Sequence, residues 1–395
     1  MTPGDPLFAE GIDLTVVLIV LGKVLVVFVF LLVAVMMMIW FERKVISDMQ
    51  ARIGPDRAGP WGMLQTIADG IKLFFKEDLL PEQADKKVFR LAPYLSAIPA
   101  FASFAIIPIG GTISIAGRET YLQLADPPVG ILFLLAMSSI AVYGVMLAGW
   151  SSGSKYPLLG SVRASAQMVS YEAAMSLAVA AVVLAAGSLS THDIVANQAR
   201  WSWNLWALGG VPFVIFLIAA TAEVNRPPFD LVEAEQELVG GFHTEYSSIR
   251  FALFFLAEFM NTITISAVAV TLFLGGPNGP EIGFLPDLWP VVWFMLKLGA
   301  FLFVYVWFRA TLPRLRYDQL MDLGWKKLIP LSLFWLLLIG ALRIGRDEGW
   351  NQLWVLGGAF AVGAVAWAGL AAALRTGEDE SEATEAMAAA EIRAR

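Results

Sequence analysis

"LTVVLIVLGKVLVVFVFLLVAVMMMIW", residues 14–40, carries a single charge, Lys23, and is longer than the roughly 20 apolar residues an α-helix needs to cross a bilayer. The rest of the chain keeps this character: of 395 residues, 58% are hydrophobic and 15% charged, with a mean hydropathy of +0.68. A soluble chain of this length would fold as two or three domains, but this composition belongs in lipid. Further apolar runs lie near residues 91–115, 129–150, 164–186, 203–222, 251–274, 288–308, 325–342 and 353–374, which gives nine candidate helices. The expected fold is an all-α polytopic membrane protein. The fifth and eighth runs have uninterrupted apolar cores of only about 15 residues, so tilted, broken or protein-covered helices are expected there. Pro99 and Pro108 should kink the second.

Composition also removes chemistries. With no cysteine, the chain has no disulfide, no iron–sulfur ligation and no zinc thiolate site. The two histidines, His192 and His243, both fall between apolar runs, so a pair of intramembrane haem ligands is missing. Redox chemistry is expected in a partner. The start of the chain lacks a basic region and a small-residue cleavage site, so the first run is read as a retained helix.

Basic residues set the expected orientation. Arg43, Lys44, Arg52, Arg57, Lys72, Lys76, Lys86, Lys87 and Arg90 follow the first run, and Arg309, Arg314, Arg316, Lys326 and Lys327 follow the seventh. Together with Lys155, Arg163, Arg226 and Arg250, they outnumber Arg118, Arg200, Arg343 and Arg346 of the even-numbered loops. The N-terminus is therefore expected outside, and the acidic tail, residues 376–395, inside as a solvated and weakly helical or disordered end. Within the first basic loop, "WGMLQTIADGIKLFFKEDLLPE" (residues 61–82) repeats Trp61, Leu64, Ile67, Ile71, Phe74 and Phe75 at helical steps. This pattern predicts an amphipathic helix at the interface, for which a plain membrane-surface anchor is an equally good reading.

A second stretch, "EVNRPPFDLVEAEQELVGGFHTEY" (residues 223–246), sets Glu223, Asp230, Glu233, Glu235, Glu237 and Glu245 against one basic residue, Arg226. Asn225-Arg226-Pro227-Pro228 cannot continue a helix, so the fifth run must stop there. Four readings compete: a solvated loop, a docking surface, a metal site and a proton path. Phe229, Leu231, Val232, Leu238, Val239 and Phe242 interleave with the acids, which points to a segment folded back into protein. The spacing does not resemble a calcium loop. Glu233 and Glu237, four apart, would share a helical face where like charges repel. Glu172 and Glu258 lie nine and eight residues beyond Arg163 and Arg250, about 12 Å below the basic surface. Lys23 and Lys297 lie deeper. Ionisable groups at such depth should face the bundle interior, pair with one another or line water, and structural ion pairing is the simplest of these outcomes. These features favour a proton path over docking while leaving both open.

"ERKVISDMQARIGPDRAGPWGMLQTIADGIKLFFKED" (residues 42–78), "VSYEAAMS" (residues 169–176), the 223–246 stretch and "RATLPRLRYDQLMDLGWKKLIPL" (residues 309–331) together resemble the subunit 1 family of proton-pumping NADH:quinone oxidoreductase, respiratory complex I. The resemblance covers the first eight runs. It implies a subunit without a redox centre of its own, at the heel of a membrane arm, forming the quinone tunnel and starting a chain of buried acids. It places Glu42, Arg43, Arg52 and Asp69 beside the tunnel, with Arg226, Asp230 and Tyr246 in the flanking loop. It identifies Glu172, Glu223, Glu233, Glu235, Glu237 and Glu258 with the proton channel. The implied partners are quinone-reducing peripheral-arm subunits, small and antiporter-like membrane subunits and the lipid bilayer, with no nucleic acid. Quinone would be the substrate, this chain would hold no cofactor, and iron–sulfur clusters and FMN would sit in partner subunits. The implied location is a cell inner (plasma) membrane.

Two features depart from the family. Asp56 stands where asparagine is usual, and the family ends after eight helices. Residues 1–346 are thus expected to form the family core, 347–375 an additional helix and 376–395 the tail. The equivalent subunit of a membrane hydrogenase or ferredoxin-linked complex would share these motifs. A stand-alone cation/proton antiporter, the rival from another class, should instead place an essential acid and lysine together near the midplane.

Overall fold

Helix α1 (Leu14–Met49) begins where the Asp13 carboxylate accepts the Val16 amide at 2.9 Å, a side-chain N-cap. It runs for 36 residues, about 54 Å at 1.5 Å per residue, so its charged end extends beyond a hydrocarbon layer of about 30 Å. The computed structural model describes residues 5–9, 11–231, 239–280, 286–365 and 368–369. After α1 come α2 (Gln65–Phe75), α3 (Lys86–Ser103), a hairpin of β1 (Thr112–Ile115) and β2 (Arg118–Tyr121), α4 (Gly130–Ser151) and α5 (Lys155–Ala186). Then follow α6 (Thr191–Asn197), α7 (Asn204–Ala207), α8 (Val211–Glu223), α9 (Ser248–Phe273), α10 (Trp289–Thr311) and α11 (Tyr317–Asp322). A π-helical turn, Leu323–Leu328, leads into α12 (Ile329–Asp347), and α13 (Gln352–Val365) is the last described helix.

Seven of these helical segments are long and apolar enough to span a membrane, and Val211–Glu223 and Gln352–Val365 are shorter apolar helices. Together they match the nine runs read from sequence, and the protein is an all-α multi-pass membrane protein. Two runs differ in detail. The second leaves helix soon after Ser103, and residues 112–121 form an antiparallel hairpin with Thr112 opposite Tyr121 and Ile115 opposite Arg118; Pro108 and the glycines at 110 and 111 end the helical pattern. The fifth run is broken at Gly209 and Gly210, both at φ +76°, a backbone that glycine adopts freely. What remains beyond the break is α8, 13 residues long.

Helix α9 packs on α1, α2, α3, α8 and α10, and α4 lies between α3 and α5, which in turn packs on α8. Close approach between these helices depends on small residues: a side chain at Gly144 of α4 would meet Ser96 Oγ of α3 at 2.2 Å. One end of the bundle carries α2, where the Ser248 hydroxyl donates to the carbonyls of Leu73 (3.0 Å) and Lys76 (2.8 Å). The other carries the hairpin and α6, tied together where the Thr191 hydroxyl donates to the Ile106 carbonyl at 2.6 Å. Both deep lysines serve that second end. Lys23 donates to Asp5 (3.3 Å) and Thr120 (3.0 Å), while Lys297 donates to the carbonyls of Leu274, Gly276 and Asn278 at 2.6–2.8 Å. Residues to Ser332 form one compact unit and residues from Leu333 a second, in which Phe334 meets Phe360 with ring centroids 6.1 Å apart.

Candidate functional site

Glu42 and Arg43 are neighbours on α1, so their side chains leave the helix about 100° apart. Arg43 reaches α2, where it pairs with Asp69 at 2.8 Å. Lys72 (2.8 Å) and Gln65 (3.1 Å) hold the same carboxylate. Partial burial alone would raise the Asp69 pKa, but hydrogen bonds from Lys72, Arg43 and Gln65 outweigh it and keep the carboxyl below its usual range. The indole of Trp40 donates to the Trp61 carbonyl at 2.9 Å, a second tie between α1 and the segment leading into α2. The amphipathic helix is therefore fixed to the end of α1 by polar contacts, while Ile67, Ile71, Phe74 and Phe75 of its apolar face are exposed.

Beside this junction opens a cleft of about 630 Å³. Ile39, Ile46, Phe255 and Phe259 give it apolar walls, and Glu42, Arg43, Arg52 and Arg309 give it charged groups. Arg309 of α10 holds one oxygen of Glu42 in a close ion pair. The other oxygen lies 3.4 Å from Nη1 of Arg226.

Arg226 sits in the turn that ends α8, and only 4% of it is exposed. Its Nη2 lies 3.4 Å from a Glu258 oxygen, and its guanidinium covers the Phe259 ring at 4.7 Å, a cation–π contact favoured by a desolvated setting. The turn is held by Gln167 of α5, whose amide nitrogen donates to the Ala222 carbonyl (2.9 Å), the Asn225 side chain (3.1 Å) and the Phe229 carbonyl (2.9 Å). Asn225 adopts φ +51° and Pro227-Pro228 is cis, so one buried glutamine braces an irregular backbone from three sides.

Glu223 is 7% exposed and accepts the Ser138 hydroxyl, and Glu172 accepts the hydroxyl of Ser139, the next residue on α4. The second Glu223 oxygen has no hydrogen-bond partner among the described residues. Two small cavities reach Glu223. One, of about 50 Å³, also touches Ser96, Asn225, His243, Glu258 and Asn261; the other, of about 40 Å³, touches Ser138, Asn261 and Thr264. Each exceeds the roughly 10–15 Å³ needed for a water and offers several polar partners. The arrangement can hold protons on carboxylates and pass them through hydroxyls and water.

Of the residues selected from sequence, Glu42, Arg43 and Arg52 line the cleft, Asp69 adjoins it through Arg43, and Arg226 stands behind it. Glu223 and Glu258 share a cavity, and Glu172 approaches through the paired serines. Asp230 lies apart in an ion pair with Arg314 at 2.9 Å. Tyr246 also lies apart, stacked 4.0 Å from Phe89 with its hydroxyl donating to the Phe89 carbonyl; burial, against a Ser151 hydrogen bond and the Arg250 charge, pushes its pKa up to about 12. Glu233, Glu235 and Glu237 lie outside the described residues. Ser138, Ser139, Gln167, Asn261 and His243 were not singled out as site residues. Their signal was available as isolated polar residues within or beside apolar runs, where each costs free energy unless partnered.

A family model described as NADH dehydrogenase matches residues 22–340. Among curated proteins, the H subunit of the NADH-quinone oxidoreductase of Frankia casuarinae is 55% identical over 350 residues, 87% of this chain and 77% of its own length. The protein of the same name from Frankia alni is 54% identical over 350 residues, with the same coverage of 87% and 77%.

Proposed function

Because the chain belongs to the NADH dehydrogenase family, among the H subunits of NADH-quinone oxidoreductase, we propose that it gives quinone its passage from the membrane and couples quinone reduction to proton movement. The cleft has the chemistry for this: isoleucine and phenylalanine for an isoprenoid tail and ring, arginines to bond the ring oxygens. A buried charge pair about 4 Å apart interacts on the order of 4 kcal/mol at an intermediate effective dielectric. A change of charge at Glu42 during quinone reduction would therefore be felt through Arg226 at Glu258.

The observation that carries the reading is that one guanidinium serves both Glu42, in the wall of the cleft, and Glu258, in the wall of the acid cavity. From Glu258, protons pass through water to Glu223 and then by way of Ser138 and Ser139 towards Glu172. Glu233, Glu235 and Glu237 of the same loop extend this chain. Asp230 and Tyr246 support the loop from its flanks, and Asp69 holds α2 at the mouth of the passage. The antiporter alternative loses support from the lysines, since Lys23 and Lys297 engage Asp5 and backbone carbonyls, away from the acids.

The partners are the other subunits of the oxidoreductase: a quinone-reducing peripheral arm, which with its neighbours supplies flavin and iron–sulfur clusters, and small and antiporter-like membrane subunits. The N-terminus lies outside and the tail in the cytoplasm. Residues 1–346 form the working core, and 347–375 and 376–395 are additions to it.

Two variants of the assembled complex test the two halves. Arg52→Ala should slow quinone reduction while electron transfer to a water-soluble artificial acceptor survives, and equal loss of both activities would sink the passage. Glu258→Gln should lower the number of protons pumped per electron in sealed vesicles. An unchanged ratio would remove Glu258 from the path.

A further inference from the structure

We infer that His243 is the group through which protons enter the cavity shared by Glu223 and Glu258. This rests on the proton path proposed above and names its mouth. The cavity wall on the side of the 239–247 segment is otherwise built of Phe242, Phe251, Phe254 and Phe255, none of which carries a proton. His243 is the titratable group in that wall, and it is partly exposed where Glu223 is buried. One side chain thus reaches from the loop surface to the enclosed space.

Its ring is also fixed. Phe242 meets it edge-on with centroids 5.0 Å apart and planes at 90°, and Phe251 at 5.4 Å and 66°. A ring held between two others cannot fold away from the cavity at no cost. Imidazole suits the task because one nitrogen can accept a proton while the other releases one, so transfer needs only a small rocking of the ring or exchange with an ordered water. The cavity, about 50 Å³ and bordered by Asn225 and Asn261, has room and partners for such a water. No net chemistry occurs at His243: each proton accepted on the loop side is matched by one passed to a carboxylate.

The test uses the whole complex reconstituted in sealed vesicles, with His243→Asn and His243→Gln, which keep an amide donor and lose the transferable proton, and Glu223→Gln as comparator. Both histidine variants should assemble on native gels, transfer electrons to a water-soluble acceptor at the parent rate and pump about a hundredfold more slowly, the low end of the range by which positioned proton transfer accelerates reactions. In His243→Ala, added imidazole should restore pumping, with substituted imidazoles graded by their basicity. A structural role would not produce that grading.

Parent-like pumping in an assembled His243→Asn or His243→Gln complex overturns the inference, as does failure of both variants to assemble, since the ring would then be needed for packing. If Glu223→Gln blocks pumping while the histidine variants pump normally, the inference fails and the acid path stands. If Glu223→Gln itself pumps normally, the underlying path fails.

Discussion

Arg226 meets Glu258 at 3.4 Å across the boundary between a loop and the transmembrane helix α9, and with its other nitrogen meets Glu42 of α1 at the same distance. Glu42 is in turn gripped by Arg309 of α10. For charges as buried as Arg226 and Glu42, removing one partner typically costs about 3–5 kcal/mol because the other is left uncompensated. The four groups therefore respond together: whatever alters Glu42 redistributes the guanidinium between two carboxylates.

Gln167 keeps that guanidinium in place. Gln167→Ala removes the contacts that its amide nitrogen makes with the Ala222 and Phe229 carbonyls and the Asn225 side chain, a loss of about 1–3 kcal/mol. The assembled complex should show a lower thermal midpoint by native-gel dissociation and reduced pumping. An unchanged midpoint would mean the turn is braced by other contacts.

The clasp of α2 on α1 should loosen only in acid. The folded-state pKa of Asp69 is depressed, so its contribution is present above the unfolded value, about 4, and disappears as pH falls through the folded value. A spin label at the exposed Ile71 of α2 should keep constant mobility from neutral pH to about 4 and gain mobility below it. In Asp69→Asn the label should be mobile throughout. A transition between pH 6 and 8 would contradict this assignment.

Residues beyond Arg346 should be dispensable for the chemistry. The family model ends at residue 340, and the glycine- and alanine-rich run that follows suits close packing on a neighbouring helix. Truncation after Arg346 should leave quinone reduction largely intact. Complete loss of activity in a normally assembled complex would place the last helix in the mechanism.

The helices were legible because lipid imposes one demand, sustained apolar length, that composition displays directly. The hairpin at residues 112–121 was not, since its isoleucines continue an apolar run and only Pro108 and two glycines mark the change. That Glu172 and Glu258 would meet polar partners between the helices followed from counting helical rise and from the cost of ionisable groups there. That Arg226 would bridge to Glu42 did not, because Glu42 lies far away in sequence and contacts between helices leave no trace in one chain's periodicity. Lys23 and Lys297 were read as lying deep in their helices, and their partners are Asp5, Thr120 and helix-end carbonyls. Gln167 and the serine pair escape a sequence reading because short polar side chains within apolar runs resemble tolerated exceptions until their partners are seen.

The most direct measurement is the number of protons pumped per electron by an Arg226→Gln complex in sealed vesicles, taken beside its quinone reductase rate and its assembly on a native gel. Cutting the link between Glu42 and Glu258 should leave the complex assembled and reducing quinone, more slowly, with a ratio clearly below that of the parent. An assembled Arg226→Gln complex that reduces quinone and pumps at the parent ratio would contradict the claim that this guanidinium joins the cleft to the acid path.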